Sequence, residues 1–331
     1  MARPDPQNEI WDKHLHPHLR LLLPSSSPPI HLEARLYLPL PLPPSISKHV
    51  NILGEYSTVP KKLEDLDANL RDGLRDMGVE RVVVASHPWG RLGGSMLDPV
   101  ITSHLITAIY HPYHSHTTDP STIEGANPDP DSVPLSGAIT PSPAELCGRT
   151  AVISYNVRGV GLSGGSQPWL GTGSDPEDLA EIEKIGVGLL GDSVKEVFRF
   201  GYSWGSLLTI LAPFPTAHHI PLKKTLLVSP PITVFKGITL LSSKKFPVAL
   251  KDHHTHLNKP VWLVYGTKDE FTGSSTYLNF AEEQGKEVVK SIQVDDADHL
   301  WRRDEGQKLR EVIRDWLDSS GDNEEMDNKL S

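Results

Sequence analysis

Glu196-Val197-Phe198-Arg199-Phe200 reads as a short buried strand and Ser206-Leu207-Leu208-Thr209-Ile210-Leu211 as the start of a helix, with only Gly201-Tyr202-Ser203-Trp204-Gly205 between them. A chain that must pass from strand to helix in five residues has to turn sharply. Glycines two residues either side of the serine let strand and helix pack that closely, and the strained turn pushes the serine Oγ outward. The same pentapeptide also suits a serine in a Gly-rich βα turn of some other α/β protein. The two readings separate on whether a base and an acid follow downstream.

Both follow. Val261-Trp262-Leu263-Val264-Tyr265-Gly266 is an apolar strand running into Thr267-Lys268-Asp269-Glu270-Phe271, which puts Asp269 at a strand's carboxyl end. Val288–Val294 is a further strand, and the loop Asp295-Asp296-Ala297-Asp298-His299 delivers His299 just before a last helix. His299 suits a general base for Ser203, with Asp269 fixing the imidazole tautomer and stabilising the imidazolium. Glu270 shares the strand end and is a rival for that role, whereas Asp295, Asp296 and Asp298 read as a solvated acidic turn. An earlier strand, Val79–Ser86, leads into His87-Pro88-Trp89-Gly90-Arg91-Leu92-Gly93-Gly94-Ser95-Met96. A tetrahedral intermediate needs two fixed donors, and the N–H of Trp204, after the serine, supplies one. Pro88 has no N–H to give, so Trp89 is the candidate for the second. His87 reads as a loop histidine bonded to backbone.

Gly159-Val160-Gly161-Leu162-Ser163-Gly164 satisfies the G-x-G-x-x-G pattern of dinucleotide enzymes. That fingerprint must open straight into a helix. Here Gly165, Pro168, Gly171 and Gly173 keep the chain irregular until Asp175-Pro176-Glu177-Asp178, so no nucleotide cofactor is expected. Arg158 and Asp178 read as a structural ion pair.

The strand and helix patterns alternate: strands near 31–38, 79–86, 150–156, 195–200, 224–229, 260–265 and 287–294, and helices near 61–76, 98–109, 177–190, 204–212, 274–284 and 303–317. Such alternation predicts an α/β fold, a mostly parallel sheet with helices on both faces and ligands at the strands' carboxyl ends. In one order, the loop from His87-Pro88 to Gly93-Gly94-Ser95-Met96-Leu97-Asp98-Pro99-Val100, the segment Tyr155-Asn156-Val157-Arg158-Gly159-Val160-Gly161-Leu162-Ser163-Gly164, the serine turn, Gly266–Phe271 and Asp298-His299-Leu300-Trp301 resemble the α/β-hydrolase superfamily. They are most similar to its small lidless branch, with an HPHP-type oxyanion loop followed by GG-[ST]-M. The likeness runs in patches from about residue 30 to 318, and the order Ser, Asp, His is that scaffold's. It implies a serine hydrolase of the esterase, thioesterase or serine-aminopeptidase-like kind. Trp89-Gly90 stands where that branch has its second His-Pro pair, and insertions near 45–60 and 111–149 exceed what so compact a family needs.

The remaining sequence sets limits. Of 29 prolines, seven lie in residues 24–44 and seven in 112–143, so both stretches read as extended or mobile loops. The expected organisation is a flexible N-terminal segment 1–28, one hydrolase domain 29–318 carrying the Pro-rich insertion 111–149 and a short cap-position excursion 230–259, and an acidic tail 319–331. A net charge of −10 without a basic run argues against nucleic acid, and no stretch approaches a membrane span. One cysteine, Cys147, and no signal-peptide h-region fit a cytoplasmic protein. The cluster His253-His254-Thr255-His256 reads as solvated loop histidines rather than zinc ligands, so neither a metal nor another cofactor is expected. Tyr202 and Trp301, with the two tryptophans above, form either an apolar wall for an acyl or aromatic group or core packing beneath the serine turn. The expected partner is a small-molecule acyl substrate. Acyl transfer to an alcohol and non-catalytic binding are the alternatives.

Overall fold

The computed structural model describes residues 16, 18–50, 59–110, 149–169, 171–214, 220–233, 245–302 and 304–319. Among them nine strands form one sheet: β1 (His18–Pro24), β2 (His31–Tyr37), β3 (Lys61–Lys62), β4 (Arg81–Ser86), β5 (Thr150–Tyr155), β6 (Glu196–Tyr202), β7 (Leu222–Val228), β8 (Val261–Gly266) and β9 (Val289–Val294). The spatial order is β3-β1-β2-β5-β4-β6-β7-β8-β9. β2 pairs antiparallel with both β1 and β5, and every pairing from β5 to β9 is parallel. The mostly parallel sheet read from the sequence is therefore what forms.

Alternation along each strand divides the core. Val82 and Val84 of β4 join one apolar cluster and Val83 and Ala85 the other, as period-two geometry requires of a strand buried on both faces. The first cluster is covered by α1 (Ala68–Asp76), α3 (Asp175–Leu190), α4 (Trp204–Leu211), α5 (Lys245–Leu257) and α6 (Ser274–Gln284). The second is covered by α2 (Ile106–Tyr110), the π-helical turn Val100–Leu105 before it, and α7 (Glu305–Asp318). In α7 the buried residues Leu309, Val312, Ile313 and Trp316 recur every three to four positions, the stripe that docks a helix on a sheet. Asp67 caps α1 by accepting the Leu70 amide at 2.8 Å.

Two expectations are corrected. Residues 18–24 are not a flexible lead-in but strand β1, whose Leu19, Leu21 and Leu23 enter the first cluster while the backbone zips onto β2. The histidines of 253–256 sit on α5 rather than in a loop. His253 is buried and hydrogen-bonds the Ile210 carbonyl at 3.0 Å, and His256 stacks on Phe214 at 4.0 Å between centroids. Among the described residues no three His, Cys, Asp or Glu side chains gather as a metal site, and no helix is long and apolar enough to cross a membrane. All but the last residue of the insertion 111–149, the segment 1–15 and the tail from residue 320 lie outside the described residues.

Candidate active site

The turn after β6 places Ser203 at φ 52° and ψ −120°, a backbone state that costs an L-residue roughly 1–2 kcal/mol. The surrounding packing holds it there. The Ser203 amide donates to the Val228 carbonyl of β7 at 2.8 Å, and Ser206 Oγ donates back to the Gly201 carbonyl at 2.9 Å. A Cβ on Gly205 would meet the Ser86 carbonyl oxygen at 2.2 Å, so α4 lies directly against the end of β4. This contact brings the loop after β4 beside the serine.

Ser203 Oγ is 2.9 Å from His299 Nε2, and His299 Nδ1 is 2.9 Å from Asp269 Oδ2. All three residues are buried. Asp269 is oriented from both sides: Oδ1 accepts the amides of Phe271 at 2.9 Å and Thr272 at 3.0 Å, and Oδ2 accepts the Tyr277 hydroxyl at 3.1 Å. Burial and the carboxylate beside it raise the Tyr277 phenol well above its ordinary value, so it stays a donor. Glu270 is oriented elsewhere, accepting the His299 backbone amide at 3.0 Å with its side chain in solvent. The two adjacent acids thus have different tasks: one faces the imidazole, the other fastens its loop.

Trp89 enters a 3-10 turn, Gly90–Leu92, and its ring stacks on that of Trp204 at 5.4 Å. Trp204 opens α4, where first-turn amides point past the helix end. His87 is buried, and loss of solvation lowers its pKa to about 4. Its Nε2 accepts the Val157 amide at 3.0 Å while Nδ1–H donates to the Pro88 carbonyl, which makes it a neutral strut between two loops. Asn156 is a second strut. Its Oδ1 accepts the Met96 amide at 2.8 Å and its Nδ2 donates to Glu33 at 3.0 Å. Glu33 also accepts the Leu162 amide at 2.9 Å and Arg20 at 3.0 Å. Arg158 and Asp178 pair at 2.6 Å, and Asp178 also accepts the Ser26 hydroxyl at 2.6 Å, which ties this loop to the end of β1 as a structural pair would.

Tyr202 and Trp301 take the second of their two readings. Both are core residues, 0% and 1% exposed, and so cannot present a wall to a ligand. They hold the histidine loop instead. The Tyr202 hydroxyl donates to the His299 carbonyl at 2.9 Å, Trp301 Nε1 donates to Ser229 Oγ at 3.1 Å, and His104 Nε2 bonds the Trp301 carbonyl at 2.9 Å. The aromatic face that does meet solvent beside the imidazole is Phe271, 44% exposed with its ring centroid 4.4 Å from that of His299. The sequence pattern assigns no separate role to Phe271, Tyr277, His104 or Asp98. Asp98, just before the π turn, is pushed up to about 6 by burial, against the Val100 amide it accepts at 2.9 Å and the smaller pull of His299. Of these, Asp98 alone had a readable signal, since an aspartate one residue before Pro99 is a common helix entry.

No family model matches the sequence, and no curated protein matches it either. Solved structures do. An alpha-beta serine hydrolase homologue from Coxiella burnetii superposes with a TM-score of 0.53 at 15% identity, covering 89% of this chain and 95% of that one. A protein of unknown function from Agrobacterium tumefaciens, described as a putative alpha/beta hydrolase, gives 0.52 at 12% identity, with 91% and 95% covered. A Xanthomonas campestris protein, described as an α/β serine hydrolase without lid, gives 0.50 at 16% identity, with 92% and 97% covered.

Proposed function

We propose, from the premise that this chain has the α/β-hydrolase fold, that it is a serine hydrolase cleaving an ester, thioester or small amide through an acyl-enzyme. One observation carries the reading: the unbroken hydrogen-bonded line from Ser203 Oγ through His299 to Asp269 at the carboxyl end of the sheet. Fold alone would not support it, because hydrolase folds also host other tasks.

In this reading Asp269, acceptor-only, holds the proton of His299 on Nδ1 and leaves Nε2 free to accept the Ser203 proton as Oγ attacks the carbonyl carbon. The imidazolium then forms against a carboxylate at 2.9 Å in a buried setting. The amides of Trp204 and Trp89 are the donors for the oxyanion. His299 next passes its proton to the leaving oxygen, sulfur or nitrogen, and a water deprotonated by the same Nε2 releases the acid. The single cysteine fits a reducing compartment, consistent with a cytoplasmic enzyme acting on small acyl substrates.

The test is labelling of the wild-type chain and of Ser203→Ala with a fluorophosphonate, followed by turnover of nitrophenyl esters of increasing acyl length. Labelling confined to wild type, with turnover, supports the reading. A wild-type protein that neither labels nor turns over would leave a hydrolase-fold binding protein.

A further inference from the structure

The structure assigns Arg91 a positioning role: we infer that it clamps the turn bearing the Trp89 amide to the neighbouring loop and so fixes the oxyanion donor. The inference rests on the hydrolase reading above, since it takes the Trp89 amide to face the developing oxyanion.

The turn needs an outside anchor. Its own bonds close it on itself, with Leu92 and Gly94 amides donating to the Trp89 carbonyl at 3.0 and 3.1 Å and the Gly93 amide to Gly90 at 2.9 Å. Leu92 projects into solvent, 70% exposed. Arg91 instead reaches across to the loop after β5. Its Nε donates to the Pro168 carbonyl at 3.1 Å, its Nη2 donates to the Gln167 carbonyl, and its guanidinium lies 3.8 Å over the Trp169 ring. This two-pronged donor set with a stacked face is one that a guanidinium can make and an ammonium cannot. It also accounts for Trp169, an indole left 79% exposed.

Gly90 lets the two segments meet, because a Cβ there would fall 2.4 Å from both Gln167 Nε2 and Val160 Cγ2. The loop that receives the clamp is itself tied down. The Gly164 amide donates to the His31 carbonyl at 2.9 Å, Ser163 Oγ donates to Asn156 O at 2.7 Å, and Arg158 pairs with Asp178. His87 joins the start of that loop at Val157 and Arg91 joins its end, so the turn is strapped at both sides. Arg91 and Gly90 thereby supply the support where the resembled branch would have a second His-Pro pair.

The experiment compares wild type, Arg91→Ala, Arg91→Lys and Trp169→Leu. A displaced donor weakens transition-state binding but not ground-state binding. Arg91→Ala is expected to lower kcat for a short nitrophenyl ester by about 10- to 100-fold with KM within about threefold, since a full oxyanion donor is worth about 10²–10³. Arg91→Lys falls between the two, and Trp169→Leu loses only a few-fold because the carbonyl bonds survive. Millimolar guanidinium, far below denaturing levels, restores part of the Arg91→Ala loss. Amide hydrogen exchange without substrate shows faster exchange in residues 89–94 of Arg91→Ala. A kcat within twofold of wild type, or unchanged exchange at 89–94, overturns the clamp. Absence of turnover and labelling in wild type defeats the hydrolase reading instead, and the exchange comparison still decides whether the clamp exists.

Discussion

Replacing Asp269 by asparagine changes one oxygen to an NH₂, and the surroundings dictate which. Oδ1 accepts two backbone amides, from Phe271 and Thr272, and neither can reverse its polarity. The new amide must therefore keep its carbonyl there and turn its NH₂ toward His299 and Tyr277. His299 Nδ1 then has to become an acceptor, its proton moves to Nε2, and the imidazole can no longer take the Ser203 proton. The imidazolium also loses its counter-charge. At 2.9 Å and an effective dielectric near 20, that attraction amounts to about 6 kcal/mol, or a factor of about 10⁴. The expected result for Asp269→Asn is a kcat lower by about 10³–10⁴ with KM little changed, measured on a nitrophenyl ester at neutral pH. Glu270→Gln retains an oxygen for the His299 amide and is expected to stay within about fivefold of wild type. A hundredfold loss in Glu270→Gln beside a nearly silent Asp269→Asn would refute the reasoning and transfer the role to Glu270.

Three further outcomes are expected. Ser203→Ala abolishes turnover and labelling, and Ser203→Gly, which relieves the positive φ, is more stable than Ser203→Ala by about 1 kcal/mol in denaturant titration; equal stability would show that the turn stores no strain. Gly205→Ala loses about 3 kcal/mol or fails to fold, because its Cβ meets the Ser86 carbonyl oxygen, and normal folding would mean that α4 can shift. Stability also falls on acidification between about pH 6 and 4. Four buried histidines are lowered, His87 and His104 to about 4 and His18 and His253 to about 3, so unfolding takes up four protons there. Asp98 and Asp175, raised to about 6 and about 7, oppose this by releasing two on unfolding. The net of about two protons gives a loss near 3 kcal/mol per pH unit, which Asp175→Asn steepens; a flat profile in denaturant titrations at pH 6, 5 and 4 would contradict the assignment of these groups.

The elements legible in the sequence were those whose signal is local. The serine turn is bounded by a strand and a helix of unmistakable pattern, and α6 spans residues 274–284 as read. The choice between Asp269 and Glu270 was not legible, because adjacent residues at a strand end differ only in which direction the following turn aims them. That turn is set by the amides of Phe271 and Thr272. β1 is hard to read because the alternation His18-Leu19-Arg20-Leu21 runs into Leu22-Leu23, and Pro17 and Pro24 bracket so short a run. Tyr202 and Trp301 could not be placed, since an aromatic residue next to a reactive one packs inward or faces the ligand according to contacts nearly a hundred residues away in one case and nearly two hundred in the other. Glu33 and Asn156 form a support that no single segment encodes.

The bond from Ser203 to His299 joins residues 96 positions apart, and the one from His104 to Trp301 joins residues 197 apart. During synthesis Ser203 therefore emerges well before His299, and the strut that seats the histidine loop waits for nearly all of the sheet to exist. In the proposed mechanism a chain that ends before residue 299 carries an inert hydroxyl. Its reactivity then depends on a side chain delivered after the last strand of the sheet.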